Sequence, residues 1–206
     1  MYASKTDPDP VQQAKTAFKQ SGGLMRMSAA VRSGIHRDTL RKMVQQGDVR
    51  KISRGLYQLV EVLPPSHPDL AFVAAKVPDG VVCLISALSF HELTTQIPHE
   101  VYLAIGRNAE PPRIDYPPVR SFRFSGKAFT EGIEKHNIGP VTVRVYSREK
   151  TLADCFKYRN KIGLDTCLEA LQTYKQLRRI NVDAILQYAA ICRVANVMRP
   201  YVEALL

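Results

Sequence analysis

The stretch Arg37–Leu59, RDTLRKMVQQGDVRKISRGLYQL, decides the fold of the first part of the chain. Its first apolar residues have the spacing of three and four that is typical of a helix, and Gly47 then marks a helix end. From Val49 the spacing changes to two, and Gly55 turns the chain back into a second short strand. The pattern therefore predicts a helix over about 37–46 followed directly by a hairpin.

Two more helices are predicted upstream of this stretch. Apolar residues at helical spacing between Val11 and Phe18 predict a first helix, which Gly22-Gly23 ends. Ser28 is placed to cap a short second helix, and Gly34 makes the tight turn into the third. The order helix, helix, turn, helix, hairpin is typical of a winged helix-turn-helix, which we predict over residues 1–60.

The charge is concentrated in the same segment. The chain carries 29 Lys and Arg against 19 Asp and Glu, a net +10. Residues 1–60 hold 11 of the basic and 4 of the acidic residues, so that less than a third of the chain carries +7. An excess of this size favours a polyanionic partner, and its position favours a dedicated nucleic-acid-binding segment.

The predicted winged helix gives these cations a role. Its third helix enters the major groove, and its hairpin meets the DNA backbone or the minor groove. A charged face is also typical of any solvated helix, but the agreement of element order and charge favours double-stranded DNA. The predicted DNA-binding residues are His36, Arg37, Thr39, Arg41 and Lys42 on the helix, with Arg50, Lys51 and Arg54 on the hairpin.

The remainder of the chain predicts a second, mixed domain. Prolines in residues 61–68 indicate a short, stiff linker, and the second domain then covers 69–206. Its predicted elements are a helix over 69–76, a strand over 81–85, a helix over 87–93 capped by Ser86, strands over 101–105, 119–124 and 141–146, and helices over 150–158, 164–177, 182–193 and 197–206. The predicted class is α+β, with a small sheet and a C-terminal helical cluster.

The residue patterns predict no catalytic residue, metal or cofactor. The sequence contains no phosphate-binding glycine loop, and its five histidines lack metal-ligand spacing. Its four cysteines form no Cys-x-x-Cys pair and lie in apolar surroundings, which indicates reduced core thiols. Because no apolar run has the length of a signal peptide core or a membrane span, we expect a cytoplasmic protein without membrane contact.

A second basic stretch lies in the predicted second domain. Its cations are Arg144, Arg148, Lys150, Lys157, Arg159 and Lys161, against the acidic residues Glu149 and Asp154. One interpretation is a solvated helix start beside a strand, in which Asp154 faces Lys157 or Tyr158. The other is a second contact with an anion, which would be flanking DNA, RNA or an acidic partner. Both interpretations stay open at this point.

Several segments together resemble the AbiE-type antitoxin family (AbiEi), the transcription-regulator half of type IV toxin–antitoxin and abortive-infection operons. They are Gly47–Val49 with the hairpin Ile52–Tyr57, then Cys83–Pro98, Val145–Gly163 and Ile191–Tyr201. The resemblance covers about residues 11–206. It implies a repressor that binds inverted repeats in its own promoter and counters a co-encoded nucleotidyltransferase-type toxin through the C-terminal domain, without a stable complex with it.

Two other hypotheses are compatible with the same residues. One is a metabolite-responsive winged-helix repressor whose second domain senses a ligand. The other is a nucleic-acid-processing enzyme with its active site in the C-terminal domain, which the basic stretch around Arg148 motivates. The preferred interpretation remains a DNA-binding antitoxin regulator without enzymatic activity.

Overall fold

The computed structural model describes residues 9–62 and 66–205. The chain divides into two compact units, the first comprising the residues up to Lys76 with Asn137–Thr142, the second Val77–His136 with Val143–Leu206. The division assigns the helix predicted over 69–76 to the first unit. Residues 63–65 of the predicted linker lie outside the described residues, and the domain boundary at 61–68 stays a prediction. The expected α+β class is confirmed.

The first unit contains the predicted helices and hairpin together with one strand that the sequence did not predict. Its elements are α1 Pro10–Gln20, β1 Leu24–Arg26, α2 Met27–Arg32, α3 Arg37–Gln45, β2 Val49–Ser53, β3 Leu56–Leu59 and α4 Pro68–Lys76. The strands form an antiparallel sheet in the order β1-β3-β2. Three residues are too few to show an alternating pattern, which explains why β1 escaped prediction.

Apolar side chains from the helices and the sheet form one core in this unit. Phe18 of α1, Leu40 and Met43 of α3, and Val49 and Leu59 of the hairpin are almost completely buried. Gly47 ends α3 with a φ of +80°, and Gly55 turns the hairpin with a φ of +73°. Glycine adopts this left-handed backbone without a steric penalty, so both glycines fix the direction of the hairpin.

The predicted capping role of Ser28 is wrong. The second helix begins at Met27, one residue earlier than Ser28, and Arg26 occupies the N-cap without a side-chain hydrogen bond. The Met27 N–H donates instead to the Gly55 carbonyl at 2.7 Å. A contact between β1 and the hairpin turn therefore satisfies the start of α2, and a nonlocal bond of this kind leaves no signature in the local sequence.

The second unit surrounds a mixed five-stranded sheet with helices. Its elements are β4 Val81–Val82, α5 Leu84–Phe90, β5 Val101–Gly106, β6 Val119–Phe124, α6 Lys127–Thr130, β7 Ile133–Ile138, β8 Val141–Tyr146, α7 Arg148–Lys157, α8 Arg159–Ile162, α9 Leu164–Lys175, α10 Val182–Ile191 and α11 Ala195–Leu205. The strand order is β6-β5-β4-β8-β7, with β5 antiparallel to β4 and parallel to β6. Strand β7 and helix α6 were not predicted from the sequence.

The boundary predicted between β4 and α5 is also wrong. The strand stops at Val82 and the helix begins at Leu84, so Ser86 lies inside α5 rather than at its cap. The Ser86 hydroxyl accepts a hydrogen bond from the Tyr102 N–H at 2.9 Å. Its role is to attach α5 to β5, because a buried hydroxyl needs a partner and the strand amide provides one.

Helix α7 runs through the middle of the second core, and its residues from Lys150 to Phe156 are all buried. Lys150 is completely buried, and its ammonium lies 2.7 Å and 2.6 Å from the two carboxylate oxygens of Asp154. Both interpretations of the second basic stretch place Lys150 at the surface, and for this residue both are wrong. Asp154 pairs with Lys150 one turn away, and the expected pairing with Lys157 or Tyr158 is replaced.

Two further predictions concern the state of the cysteines and the presence of membrane-spanning helices. All four cysteines are free and buried, as the sequence indicated. Within residues 9–62 and 66–205, none of the helices combines the length and the apolar character that a bilayer crossing requires.

Candidate nucleic-acid interface

Helix α3 presents a basic face to solvent. Leu40 and Met43 point into the core and fix the rotation of the helix. Arg37, Arg41 and Lys42 are exposed, whereas Thr39 is half-buried. Because residues three and four apart share a face, Arg37 and Arg41 lie together on the first turns of α3, where a recognition helix offers side chains to base edges.

His36 has a structural role at the start of this helix. It is the N-cap of α3, and its Nδ1 accepts a hydrogen bond from the Asp38 N–H at 3.3 Å. The same nitrogen lies 3.3 Å from the Asp38 carboxylate, which in turn lies 3.9 Å from the Arg41 guanidinium. The first turn of α3 therefore contains one local carboxylate, and His36 orients the backbone as well as facing solvent.

The hairpin distributes its cations between the two faces of the sheet. Lys51 pairs with Tyr57 across the strands, and Arg50 pairs with Gln58. Cross-strand partners share a face and neighbouring residues alternate, so Lys51 lies on the face of Tyr57, which packs on the helices, and Arg50 lies on the other. Arg50, Lys51 and Arg54 are all exposed, and the backbone of β2 directs Arg50 and Lys51 to opposite faces of the sheet.

The start of α3 and the hairpin turn meet in one open cleft of about 520 Å³. Its cations are Arg26, Arg37 and Arg54, and its other lining residues are Met27, Ser28, Val31 and Gly55. None of the three arginines forms a salt bridge with a carboxylate in the described part of the chain. We call Arg26, Arg37 and Arg54 the arginine cleft.

Arg26 was missed by the sequence predictions. It lies at the end of β1, and the strand that carries it to the cleft was itself not predicted. Its charge was visible as one of eight basic residues against two acidic residues in 26–54. The position, however, depends on the pairing of Arg26 with Leu56 in β3, which no local pattern indicates.

The acidic residues of this unit offset few of the cleft charges. Asp48 accepts a hydrogen bond from the Lys15 ammonium at 2.7 Å, and this bond is the main cause of the raised pKa of Lys15. Asp38 is the local carboxylate at the start of α3. The cleft arginines therefore retain a positive field of the kind that attracts phosphates.

Residues 12–60 match the family described as a transcriptional regulator, AbiEi antitoxin. The resemblance to the AbiEi antitoxin family is confirmed over these residues. The AbiEi match spans α1 to β3 and includes the arginine cleft and every predicted DNA-binding residue of the first unit. Members of this family are transcriptional regulators and antitoxins, a class that acts on DNA.

The fold of the chain is similar to that of a solved structure. It resembles the crystal structure of the RV2827C protein from Mycobacterium tuberculosis with a TM-score of 0.54, over 99% of this chain and 83% of that one. The two sequences are 12% identical, so the likeness concerns the fold alone. No curated protein matches the chain.

The second basic stretch lies beyond the AbiEi match, and most of its cations contact groups of the second unit. The Arg144 guanidinium donates to the Asp79 carbonyl at 3.0 Å, and that of Arg159 donates to the Phe156 carbonyl at 2.8 Å. The ammonium groups of Lys157 and Lys161 lie 5.9 Å and 5.8 Å from the centre of one tyrosine ring, that of Tyr158. Arg148 is exposed at the start of α7.

The described residues contain no group of three or more His, Cys, Asp or Glu side chains placed to hold a metal ion. His91 is buried, and its Nε2 lies 2.7 Å from the Tyr146 carbonyl, to which it donates in the neutral form. Burial lowers the pKa of His91, which favours that form. His91 is therefore a packed, hydrogen-bonded core residue.

Proposed function

We propose that residues 9–62 form a winged helix-turn-helix that binds double-stranded DNA, with α3 in the major groove and the β2–β3 hairpin on the backbone or in the minor groove. The arginine cleft carries the proposal, because it joins the recognition helix to the hairpin with three exposed, unneutralised guanidinium groups. Arg37 and Arg41 are assigned to base edges. Arg26 and Arg54 are assigned to phosphates.

The remaining predicted contacts keep their places in this proposal. Thr39 and Lys42 flank the two base-reading arginines on α3, and His36 caps the helix beside them. Arg50 and Lys51 lie on opposite faces of β2, so we assign the phosphate contact of this strand to one of them only. The proposal includes no catalytic activity.

The proposal extends to the biological role of the AbiEi family. The protein would repress its own operon by binding inverted repeats in the promoter, and it would counter a co-encoded nucleotidyltransferase-type toxin in a type IV toxin–antitoxin system. An inverted repeat needs two copies of the DNA-binding unit. A repressor of this kind acts where the DNA is, so the proposal includes a cytoplasmic location.

The DNA-binding part is tested by fluorescence anisotropy with a duplex from the upstream region of the operon, at stated salt. Arg37→Ala with Arg41→Ala should weaken binding by about 1–3 kcal/mol for each base-contacting arginine. The matched control is Arg178→Ala with Arg179→Ala, which removes the same charge from exposed residues of the second unit. Equal affinity of the Arg37/Arg41 variant and the wild type would show that the recognition-helix assignment is wrong.

The antitoxin part needs a separate readout. The full chain is expressed together with the neighbouring nucleotidyltransferase gene, and growth is followed. We expect rescue by the wild type and also by the Arg37/Arg41 variant, since the proposal gives neutralisation to the second unit. Absence of rescue by the wild type, or absence of such a neighbouring gene, contradicts the antitoxin role and leaves the DNA-binding test intact.

A further inference from the structure

The second unit contains a basic pocket of about 680 Å³, and of the second basic stretch only Lys157 lines it. Four cations line it: Arg107 directly after β5, Lys127 at the first position of α6, Lys157 at the last position of α7, and Arg193 two residues after the end of α10. The other lining residues are Ser125, Gly126, Ala128, Ile191 and Cys192. Four separate segments of the chain therefore bring one positive charge each to the same place.

The positive charge of this pocket is not offset by its walls. Its lining includes no Asp or Glu, and none of the four cations forms a salt bridge with a described residue. Other exposed arginines of the unit do have such partners, since Arg120 lies 3.3 Å from the Glu100 carboxylate. Like charges that converge without a counterion repel one another, so an anion between them would lower the energy of the arrangement.

The floor of the pocket is also electrically neutral. Cys192 is buried there, and its thiol donates to the Asp154 carboxylate at 3.2 Å. Asp154 in turn is paired with Lys150. This buried pair has no net charge whether the proton resides on the ammonium or on the carboxyl group. Asp154 therefore does not cancel the field of the four cations above it.

A ring contact and an unusual backbone conformation position two of these cations, Lys157 and Arg193. The Lys157 ammonium lies 5.5 Å from the centre of the Phe124 ring, an attraction that limits its range of positions. Arg193 has a φ of +60°, a left-handed backbone that is uncommon for a residue other than glycine, asparagine or aspartate. This backbone carries Arg193 into the pocket beside the buried Cys192.

We propose that this pocket binds a phosphate chain, of the kind carried by a nucleoside di- or triphosphate. Arginine binds phosphate oxygens in pairs and lysine binds them as a point charge, so the four side chains are matched to a ligand with several phosphates. A pocket of 680 Å³ lies within the range that holds ligands of nucleotide size. The site is separate from the arginine cleft and does not rest on DNA binding by the first unit.

Two sources supply this chemistry: a free nucleotide and the 5′-triphosphate end of a nucleic acid. Isothermal titration of the full chain with inorganic triphosphate tests the shared chemistry first. Two further titrations then use a nucleoside triphosphate and a short 5′-triphosphorylated oligonucleotide. The ligand that binds more tightly identifies the source. We expect saturable binding of inorganic triphosphate at one site in the second unit.

The pocket variant is Arg107→Gln with Lys127→Gln, and the matched control is Arg178→Gln with Arg179→Gln. Loss of each charge-assisted contact should weaken triphosphate binding roughly tenfold, whereas the control should bind as the wild type does. Arg193→Asn is a second variant, since asparagine tolerates the left-handed backbone while the guanidinium is removed. Its unfolding midpoint should stay close to that of the wild type.

Three outcomes would overturn the proposal. One is absence of triphosphate binding to the wild type, and another is equal weakening in the pocket and control variants, which would indicate nonspecific attraction to a basic protein. The third is loss of triphosphate binding in the Arg37/Arg41 variant of the first unit, which would move the anion to helix α3. Failure of DNA binding in that variant leaves the pocket proposal unaffected.

Discussion

In the first unit, Arg37 and Arg54 extend into solvent and have no carboxylate partner among the described residues, whereas Lys150 in the second unit is completely buried against Asp154. Both kinds of cation lie in basic stretches of the sequence. The exposed arginines cost the fold little and are available to a ligand. No ligand from solvent can reach the Lys150 ammonium, which is paired with the Asp154 carboxylate.

The environment of a cation in the fold, rather than the number of charges around it in the sequence, decides its function. An exposed guanidinium is screened by water and contributes little to stability, so it is free to serve binding. A buried ion pair that loses one partner leaves an uncompensated charge in the core. Substitution of Lys150 should therefore lower the stability of the whole second unit. Loss of a buried cation should therefore change stability, whereas loss of an exposed cation should change binding.

The largest effect is expected at Lys150. Lys150→Met leaves the Asp154 carboxylate buried without its partner and should destabilise the second unit by about 3–5 kcal/mol, measured by urea unfolding. Lys150→Met combined with Asp154→Leu should recover most of this loss, because no charge then stays in the core. The control Lys175→Met removes an exposed lysine from the end of α9. If Lys150→Met is as stable as that control, the stated difference between buried and exposed cations is wrong.

The pH dependence of the same variant gives an independent check. Burial raises the pKa of the Asp154 carboxyl, and Lys150 opposes that rise. Without Lys150 the folded pKa rises further above the unfolded value, so the folded state takes up a proton more readily as the pH falls. The deficit of Lys150→Met against wild type should therefore be smaller at about pH 5 than at about pH 8. A deficit that grows on acidification contradicts this account.

A middle-sized effect, on binding alone, is expected at Arg26. Arg26→Ala should weaken DNA binding about equally for all sequences and reduce the salt dependence of the logarithm of affinity by about one unit of slope. Its stability should stay within about 0.5 kcal/mol of the wild type. The measurement is anisotropy across a salt series, with Arg32→Ala as the matched control, because Arg32 is exposed on α2 and does not line the arginine cleft.

The smallest effect is expected at His36, where capping and DNA contact are separable. His36→Ala removes the acceptor for the Asp38 N–H and should destabilise the first unit by about 0.5 kcal/mol, the low end for an exposed cap. His36→Asn keeps a capping oxygen and should retain that stability. If His36→Asn also retains full DNA affinity, His36 acts as a cap only, and its predicted contact is wrong.

The sequence predicted those elements whose signal is local. α1, α3 and the hairpin follow from periodic apolar residues, and Gly47 and Gly55 mark the two changes of direction. The exposed positions of the residues proposed for DNA contact on α3 follow from the same pattern, since fixing Leu40 in the core leaves Arg37 and Arg41 outside. One apolar stripe is enough to orient a helix.

The features that escaped prediction depend on contacts between distant residues. Arg26 reaches the arginine cleft through the pairing of β1 with β3, and Ser86 lies inside α5 because Tyr102 provides its partner. Lys150 and Asp154 have the spacing of any exposed helical ion pair, and only the packing around α7 buries them. The basic pocket joins four segments that no window of sequence contains together.

Every cysteine of the chain belongs to the second unit: Cys83, Cys155, Cys167 and Cys192. All four thiols are buried, and burial raises their pKa values, to about 12 for Cys167 and Cys192. A thiol reagent therefore reaches Cys83, Cys155 and Cys167 in the native protein only when the second unit opens, whereas Cys192 lines the basic pocket. The rate at which these three thiols are labelled therefore measures the opening of the second unit alone, since the first unit contributes no cysteine.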